Sequence, residues 1–260
     1  MKILAINSSF RGSKGFSKFL IDKLFEGARE EGAECENINL AELKINHCID
    51  CQVCQRQDHF LKCVFNDKDD VAMIYNQMRE ADLIVFATPV YIFEMSSLLK
   101  MFLERNYSTA KIGEFNLTKK GLCFHHVDND ICKKPFVTLV VCDNLENETP
   151  KNIVSFFKTY SKFMDAEIVG TLVRKSAGMF GFNQKEENKS PVVLSVYDSY
   201  IQAGRELVLL GRISKSTQKK ANRPMVRIPF FVKPMLKLGF GRKKIIEAHD
   251  KVMQAVIKRD

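Results

Sequence analysis

"ADLIVFATPVY", residues 81–91, is the stretch on which the fold turns. From Leu83 to Ala87 every residue is apolar. A strand with one wet face alternates apolar and polar positions, whereas an unbroken run marks a strand covered on both faces. Pro89 is expected to close it, because a residue without an N–H cannot continue an interior ladder. The wider apolar run, 83–93, is too short to cross a bilayer.

Working outward, "KILAIN" (2–7) reads as a second buried strand. Phe16, Phe19, Leu20 and Leu24 then share one side of a helix that ends near Gly32. "AECENINL" (33–40) predicts a strand, and helices follow at about 70–80 and 95–105. Beyond them come a strand at 136–142, a helix at about 150–164 and a strand at 166–173. This rhythm predicts an α/β body over residues 1–173: a doubly wound parallel five-stranded sheet with helices on both faces. Residues 174–260 are expected to form a helical or irregular C-terminal extension packed on the body or on a partner subunit. They include an apolar helix over 192–211.

Composition narrows the function. The chain has 260 residues, of which 45% are hydrophobic, with 20 Phe and no Trp, so it can build a large core. The formal charge of +9 is misleading, because residues 211–260 hold fourteen Lys and Arg against three Asp and Glu. The remainder is slightly acidic. A basic tail without a recognition helix or interleaved aromatic platforms gives no reason to expect a nucleic-acid partner. Its segment 227–244 combines apolar residues with cations and allows peripheral membrane contact, but Pro229 and Pro234 favour a clamp on this subunit or its mate. The N-terminus lacks a signal-peptide pattern, and a cytoplasmic protein is expected.

Ligands of such sheets lie beyond the carboxyl ends of the strands. "SSFRGSKGFS" (8–17) leaves one such end. It offers the hydroxyls of Ser8, Ser9, Ser13 and Ser17, relief at Gly12 and Gly15, charge on Arg11 and Lys14, and a helix start at Phe16, a combination that suits a phosphate. Neither G-x-x-x-x-G-K-[ST] nor G-x-G-x-x-G is present, which disfavours an ATPase or an ordinary dinucleotide-binding dehydrogenase. "TPVYIFEMS" (88–96) leaves a second strand end. Thr88, Pro89, Val90, Tyr91, Ile92 and Phe93 there form a rigid turn bearing flat rings, able to hold a planar heterocycle. A phosphate grip beside an aromatic platform is what flavin mononucleotide (FMN) needs.

These two loops, the cysteine-rich "HCIDCQVCQRQDHFLKC" (47–63) followed by Asp69-Asp70, and the helix start after the Tyr91 turn resemble the NADPH-dependent FMN reductase and iron–sulfur flavoprotein family of the flavodoxin-like superfamily. The resemblance covers about residues 1–173. It implies that Ser9, Arg11, Gly15 and Ser17 wrap the FMN phosphate and that Pro89, Val90, Tyr91 and Phe93 line the isoalloxazine ring. Asp143 and Asn144 would close the other side. Where the family usually reads Gly-Asn-Thr this chain has Gly15-Phe16-Ser17, and Glu94 replaces a frequent glycine. The implied activity takes electrons from NAD(P)H through FMN to a quinone, a nitro compound, a flavin or a protein. The cofactor carries the chemistry, and no catalytic side chain is expected. An FMN electron carrier without substantial NAD(P)H turnover is the alternative, and a homodimer or homotetramer is implied.

Cys48, Cys51, Cys54 and Cys63 form C-x2-C-x2-C-x8-C. Three close thiols and a returning fourth suit a [4Fe–4S] cluster. A zinc site, with His47 or His59 as substitute ligands, and four free thiols remain open. Elsewhere Cys132 is expected at the surface, Cys142 as a small buried residue at a strand end, and His125 and His126 in a loop.

Overall fold

The computed structural model describes residues 1–56, 62–180 and 190–226, with the single positions 234, 237, 239, 241, 243 and 247. Most of the tail segment 227–244 therefore lies outside the described residues. Five parallel strands make the central sheet: β1 (Lys2–Asn7), β2 (Glu34–Asn39), β3 (Leu83–Tyr91), β7 (Phe136–Val141) and β8 (Ile168–Arg174). Their order is β2-β1-β3-β7-β8, so the winding reverses between β1 and β3. A two-residue strand β4 (Glu94–Met95) folds back antiparallel on β3.

Alternate residues of each inner strand feed opposite cores. Ile3, Ala5 and Val85 face α1 (Phe16–Glu30) and α6 (Pro191–Leu210). Leu4, Ile6 and Ile84 face α2 (Val71–Glu80), α3 (Ser97–Glu104) and α5 (Lys151–Met164). Both faces are dry, which is why β3 reads as a continuous apolar run. The first of these cores draws on residues on both sides of position 173, because Val193, Tyr200, Leu207 and Ile213 are buried in it.

The α1–α6 contact is unusually close. A Cβ on Gly27 would lie 1.8 Å from the Ile201 carbonyl oxygen, and one on Gly204 would lie 1.9 Å from that of Leu24. No side chain fits at either place, and the two helix backbones touch.

The structure departs from the sequence reading in several places. Pro89 does not end β3, which continues to Tyr91. The ladder to β1 stops at Ala87 and that to β7 at Pro89 itself, beyond which the strand pairs only with the short β4, so a missing N–H is tolerated there. An unexpected hairpin, β5 (Ala110–Leu117) and β6 (Cys123–Val127), turns at Gly121 with φ +74°. His125 and His126 belong to β6 rather than to a loop. Cys132 is buried on the short α4 (Asn129–Cys132), 3.1 Å from the Thr109 hydroxyl, and burial pushes its thiol up to about 11. A small helix α7 (Lys215–Ala221) covers the open edge of β8. Gln218 Oε1 and Asn222 Oδ1 accept the Thr171 and Val173 N–H groups at 2.9 and 2.7 Å. Among the described residues, no helix is long and apolar enough to cross a membrane.

Candidate functional site

The loops that follow β1 and β3 stand side by side because their strands are neighbours. Ser8 is fully buried, and both its N–H and its hydroxyl donate to the Ala87 carbonyl at 3.0 Å. That hydroxyl is turned into the sheet. Ser9 is buried too; its Oγ accepts the Arg11 N–H at 3.3 Å, and the Asn7 side chain accepts the Ser9 N–H at 3.2 Å. Arg11 and Ser13 are exposed, Phe16 is half-buried and Ser17 is buried on the first turn of α1.

The start of α1 fits an anion. Gly15 serves as its N-cap without any side-chain cap, and the first turn holds no acidic residue. The leading N–H groups of a helix have no partners within it and carry partial positive charge. Gly12 reaches φ +51°, and a Cβ on Gly15 would come within 2.6 Å of Ser9 Oγ. The loop is thus drawn tightly around the helix end.

Across from it, β3 and β4 are joined by a two-residue turn, Ile92 and Phe93, at φ +47° and +66°. Two left-handed residues at a hairpin tip make the type I′ geometry usually given to Asn-Gly. A β-branched residue there is a genuine outlier, and strain of this kind gathers at ligand sites. Thr88 Oγ1 locks the base of the turn by accepting the Ser96 N–H at 3.0 Å, and Ser96 in turn caps α3. Pro89 and Val90 are half-buried, while Tyr91, Phe93 and Ile92 are exposed, the last at 90%. The Phe10 and Tyr91 ring centroids lie 6.3 Å apart, so the aromatic surface joins the two loops.

The third loop leaves β7, the neighbour of β3 on its other side. Asp143 and Asn144 are exposed at its start, and Asp143 accepts the Gly178 N–H at 2.8 Å. Burial first, then the charge of Asp143, raises the neighbouring Cys142 thiol against the pull of Lys175 and Arg174.

The cysteine loop requires a correction. Cys48, Cys51, Cys54 and Cys63 do line one hollow together with Arg105, Tyr107 and Ser108, but its volume is about 20 Å³. That is room for about one water. Among the described residues no group of three or more His, Cys, Asp or Glu side chains is placed to hold a metal ion. The expected [4Fe–4S] cluster, the zinc alternative and the ligand role of these four cysteines are therefore not supported. What organises this corner is a buried ion pair, Arg105 with Asp69, both side chains wholly inaccessible. Arg105 also donates to the Asn46 carbonyl at 3.1 Å and lies over the Phe65 ring. Asp69 accepts the Asn46 N–H at 3.0 Å, and Asp70 accepts that of Lys44 at 2.7 Å. The acidic pair thus lashes the entry of the loop to its exit. Burial would raise the Asp69 carboxyl, but the hydrogen bonds from Arg105 and Asn46 outweigh it and hold the group below the usual carboxylate range. Gln55 pins the middle, its amide donating to the Tyr107 and Ala110 carbonyls at 3.0 and 2.9 Å.

A parallel sheet wound 2-1-3-4-5, with a phosphate-type loop and an aromatic turn flanking the reversal point, defines a flavodoxin-like protein. Residues 1–124 match the family model described as NADPH-dependent FMN reductase. An iron-sulfur flavoprotein of Methanocaldococcus jannaschii is 37% identical over 106 residues, 41% of this chain and 52% of that protein. One of Archaeoglobus fulgidus is 32% identical over 120 residues, 46% of this chain and 55% of that protein. The chain thus spans about half the length of these curated relatives. Its first half is similar to the NADPH-dependent FMN reductase family and to iron-sulfur flavoproteins. Among solved structures, an FMN-dependent NADH-azoreductase of Bacillus anthracis in complex with FMN superposes with a TM-score of 0.55. It shares 14% identity and covers 80% of this chain and 100% of its own, a likeness of fold alone.

Three residues of this region escaped the sequence reading. Phe10 extends the aromatic surface. Asn152, on α5, donates to the Phe93 carbonyl at 3.3 Å. Lys175, just past β8, holds the third loop through the Leu145 carbonyl at 2.9 Å. Only Phe10 lay within a stretch already singled out.

Proposed function

We propose that this chain binds FMN at the carboxyl end of its sheet and passes electrons from a reduced nicotinamide nucleotide to an acceptor such as a quinone, a nitro compound, a flavin or a protein. The observation that carries this reading is the junction of loop 8–17 with turn 88–96 through Ser8, Ala87, Phe10 and Tyr91. The uncapped start of α1, with Ser9 and Ser17 beside it and Arg11 at its mouth, would hold the phosphate. Pro89, Val90, Tyr91 and Phe93 would present a flat face and backbone groups to the ring, with Asp143 and Asn144 opposite. FMN, when bound, supplies hydride and single-electron chemistry, so the protein needs no acid–base dyad. The side chains bind and orient it and keep water from its covered face. Exposed Ile92 and Phe93 beside that ring also favour a homo-oligomer contact or a docked acceptor there.

The test is reconstitution with excess FMN, desalting, and fluorescence of flavin released on denaturation, followed by NAD(P)H oxidation with a quinone. Bound flavin with steady turnover is expected. Protein that retains no flavin would sink the proposal, and bound flavin without NAD(P)H turnover would replace a reductase with an electron carrier.

A further inference from the structure

Beyond the flavin loops, the start of α5 and the end of β8 enclose a cleft of about 560 Å³. Lys151, Lys158 and Lys175 line it with Asn152, Ser155 and Asn222, and no carboxylate does. Lys175 is the telling member. It is only 9% exposed, and its ammonium donates to the Leu145 carbonyl at 2.9 Å and to Asn147 Oδ1 at 2.5 Å. Its third N–H has no acceptor among the described residues, and no carboxylate pairs with it there. A buried ammonium that meets only neutral oxygens is costly unless an anion completes its shell. Lys158 is exposed and likewise has no ion-pair partner among the described residues, whereas Lys151 is held by Glu148 at 2.9 Å.

The backbone agrees with the side chains. Helix α5 begins at Pro150 with no side-chain cap and no acid in its first turn. The Lys151 and Val154 N–H groups reach the Glu148 and Pro150 carbonyls, while those of Asn152 and Ile153 find no acceptor among the described residues. The Asn152 N–H, the helix dipole and two ammoniums without carboxylate partners border one concavity, which suits a compact, multiply charged phosphate. The same cleft abuts the flavin loops: Asn152 holds the Phe93 carbonyl, and Asn147 continues the loop of Asp143 and Asn144.

We propose that this cleft takes the phosphate groups of the dinucleotide that reduces the flavin, an assignment that rests on the flavin reading above. Titration calorimetry of the FMN-loaded full chain at low salt, with inorganic pyrophosphate and separately with ADP as probes, tests it. One site per chain is expected, with ADP the tighter ligand. Lys158→Glu should weaken both by about tenfold, the loss of roughly one charge-assisted contact. It should raise KM for the nicotinamide nucleotide by a similar factor while kcat and retained FMN stay unchanged. Lys162→Glu, exposed on the same helix outside the cleft, should change neither. No binding of either probe to flavin-loaded protein, or binding indifferent to Lys158→Glu, overturns the assignment. Equal affinity for the two probes overturns its nucleotide part in favour of free phosphate. If FMN itself fails to bind, the earlier reading falls, and pyrophosphate titration of the flavin-free chain still decides whether the cleft is an anion site.

Discussion

The carboxyl end of the sheet and the cysteine corner were both marked by short, conspicuous motifs, yet they are built differently. At the sheet end, β1, β3 and β7 deliver loops 8–17, 88–96 and 143–148 to adjacent positions through their register alone. The geometry of the site is inherited from the winding. In the cysteine corner the motif supplies the lining, while Arg105 and Asp69, both outside it, set the shape. Local spacing is thus a good guide where a sheet does the positioning and a poor one where a distant side chain does.

The largest way to break this contrast is to remove the corner's ion pair. Asp69→Asn leaves the Arg105 guanidinium buried without a counter-charge and should cost about 3–5 kcal/mol in urea unfolding. Because the Asp69 carboxyl is held below its ordinary value near 3.9, its contribution is full above about pH 4–5. It is lost as pH falls through the lower folded-state value. The gap between wild type and variant should therefore close on acidification in that window. A variant within about 0.5 kcal/mol of wild type at pH 7 would mean that the corner is held by something else.

A smaller effect is expected at the sheet end, where the architecture survives a local insult. Gly15→Val drives a side chain into Ser9 Oγ. It should weaken FMN retention by about tenfold or more while unfolding shifts by only about 1–3 kcal/mol, the usual range for overpacking. Flavin fluorescence on dilution and urea melts of the flavin-free chain separate the two quantities. Flavin retention equal to wild type would detach the phosphate from this loop.

The smallest effect lies in the strained turn. Ile92→Asn places a residue tolerant of φ +47° where a β-branched one now sits, and should stabilise the flavin-free protein by about 1 kcal/mol in thermal melts. No gain would indicate that contacts of the Ile92 side chain offset the strain.

Much of this architecture was legible from residues alone. Dry strands such as 83–87 betray themselves, since both faces demand apolar side chains, and the winding then follows. Hairpin β5–β6 did not, because β5 is exposed from Gly113 to Leu117 and the alternation of Phe115 and Leu117 with polar neighbours is too short to stand out as a strand. Cys132 sits among charged neighbours in sequence, and only tertiary packing buries it. The Ser8 hydroxyl, read as a phosphate ligand, instead donates to a neighbouring strand, a contact invisible without the register. The lysine cleft was missed for a similar reason: Lys151, Lys158 and Lys175 come from two elements separated in sequence and converge only when β8 docks beside β7.

The bare-backbone seam at Gly27 and Gly204 has one more consequence. Where the two backbones touch, no side chain can swap rotamers to let α1 slide on α6, so the pair resists shear at that point and tilts together. The aim of the α1 amide groups at the sheet end is therefore braced by a helix encoded far downstream of every motif that suggested a ligand. Bulk added at position 204, well away from any cofactor contact, would be transmitted as a misalignment at the opposite end of that pair.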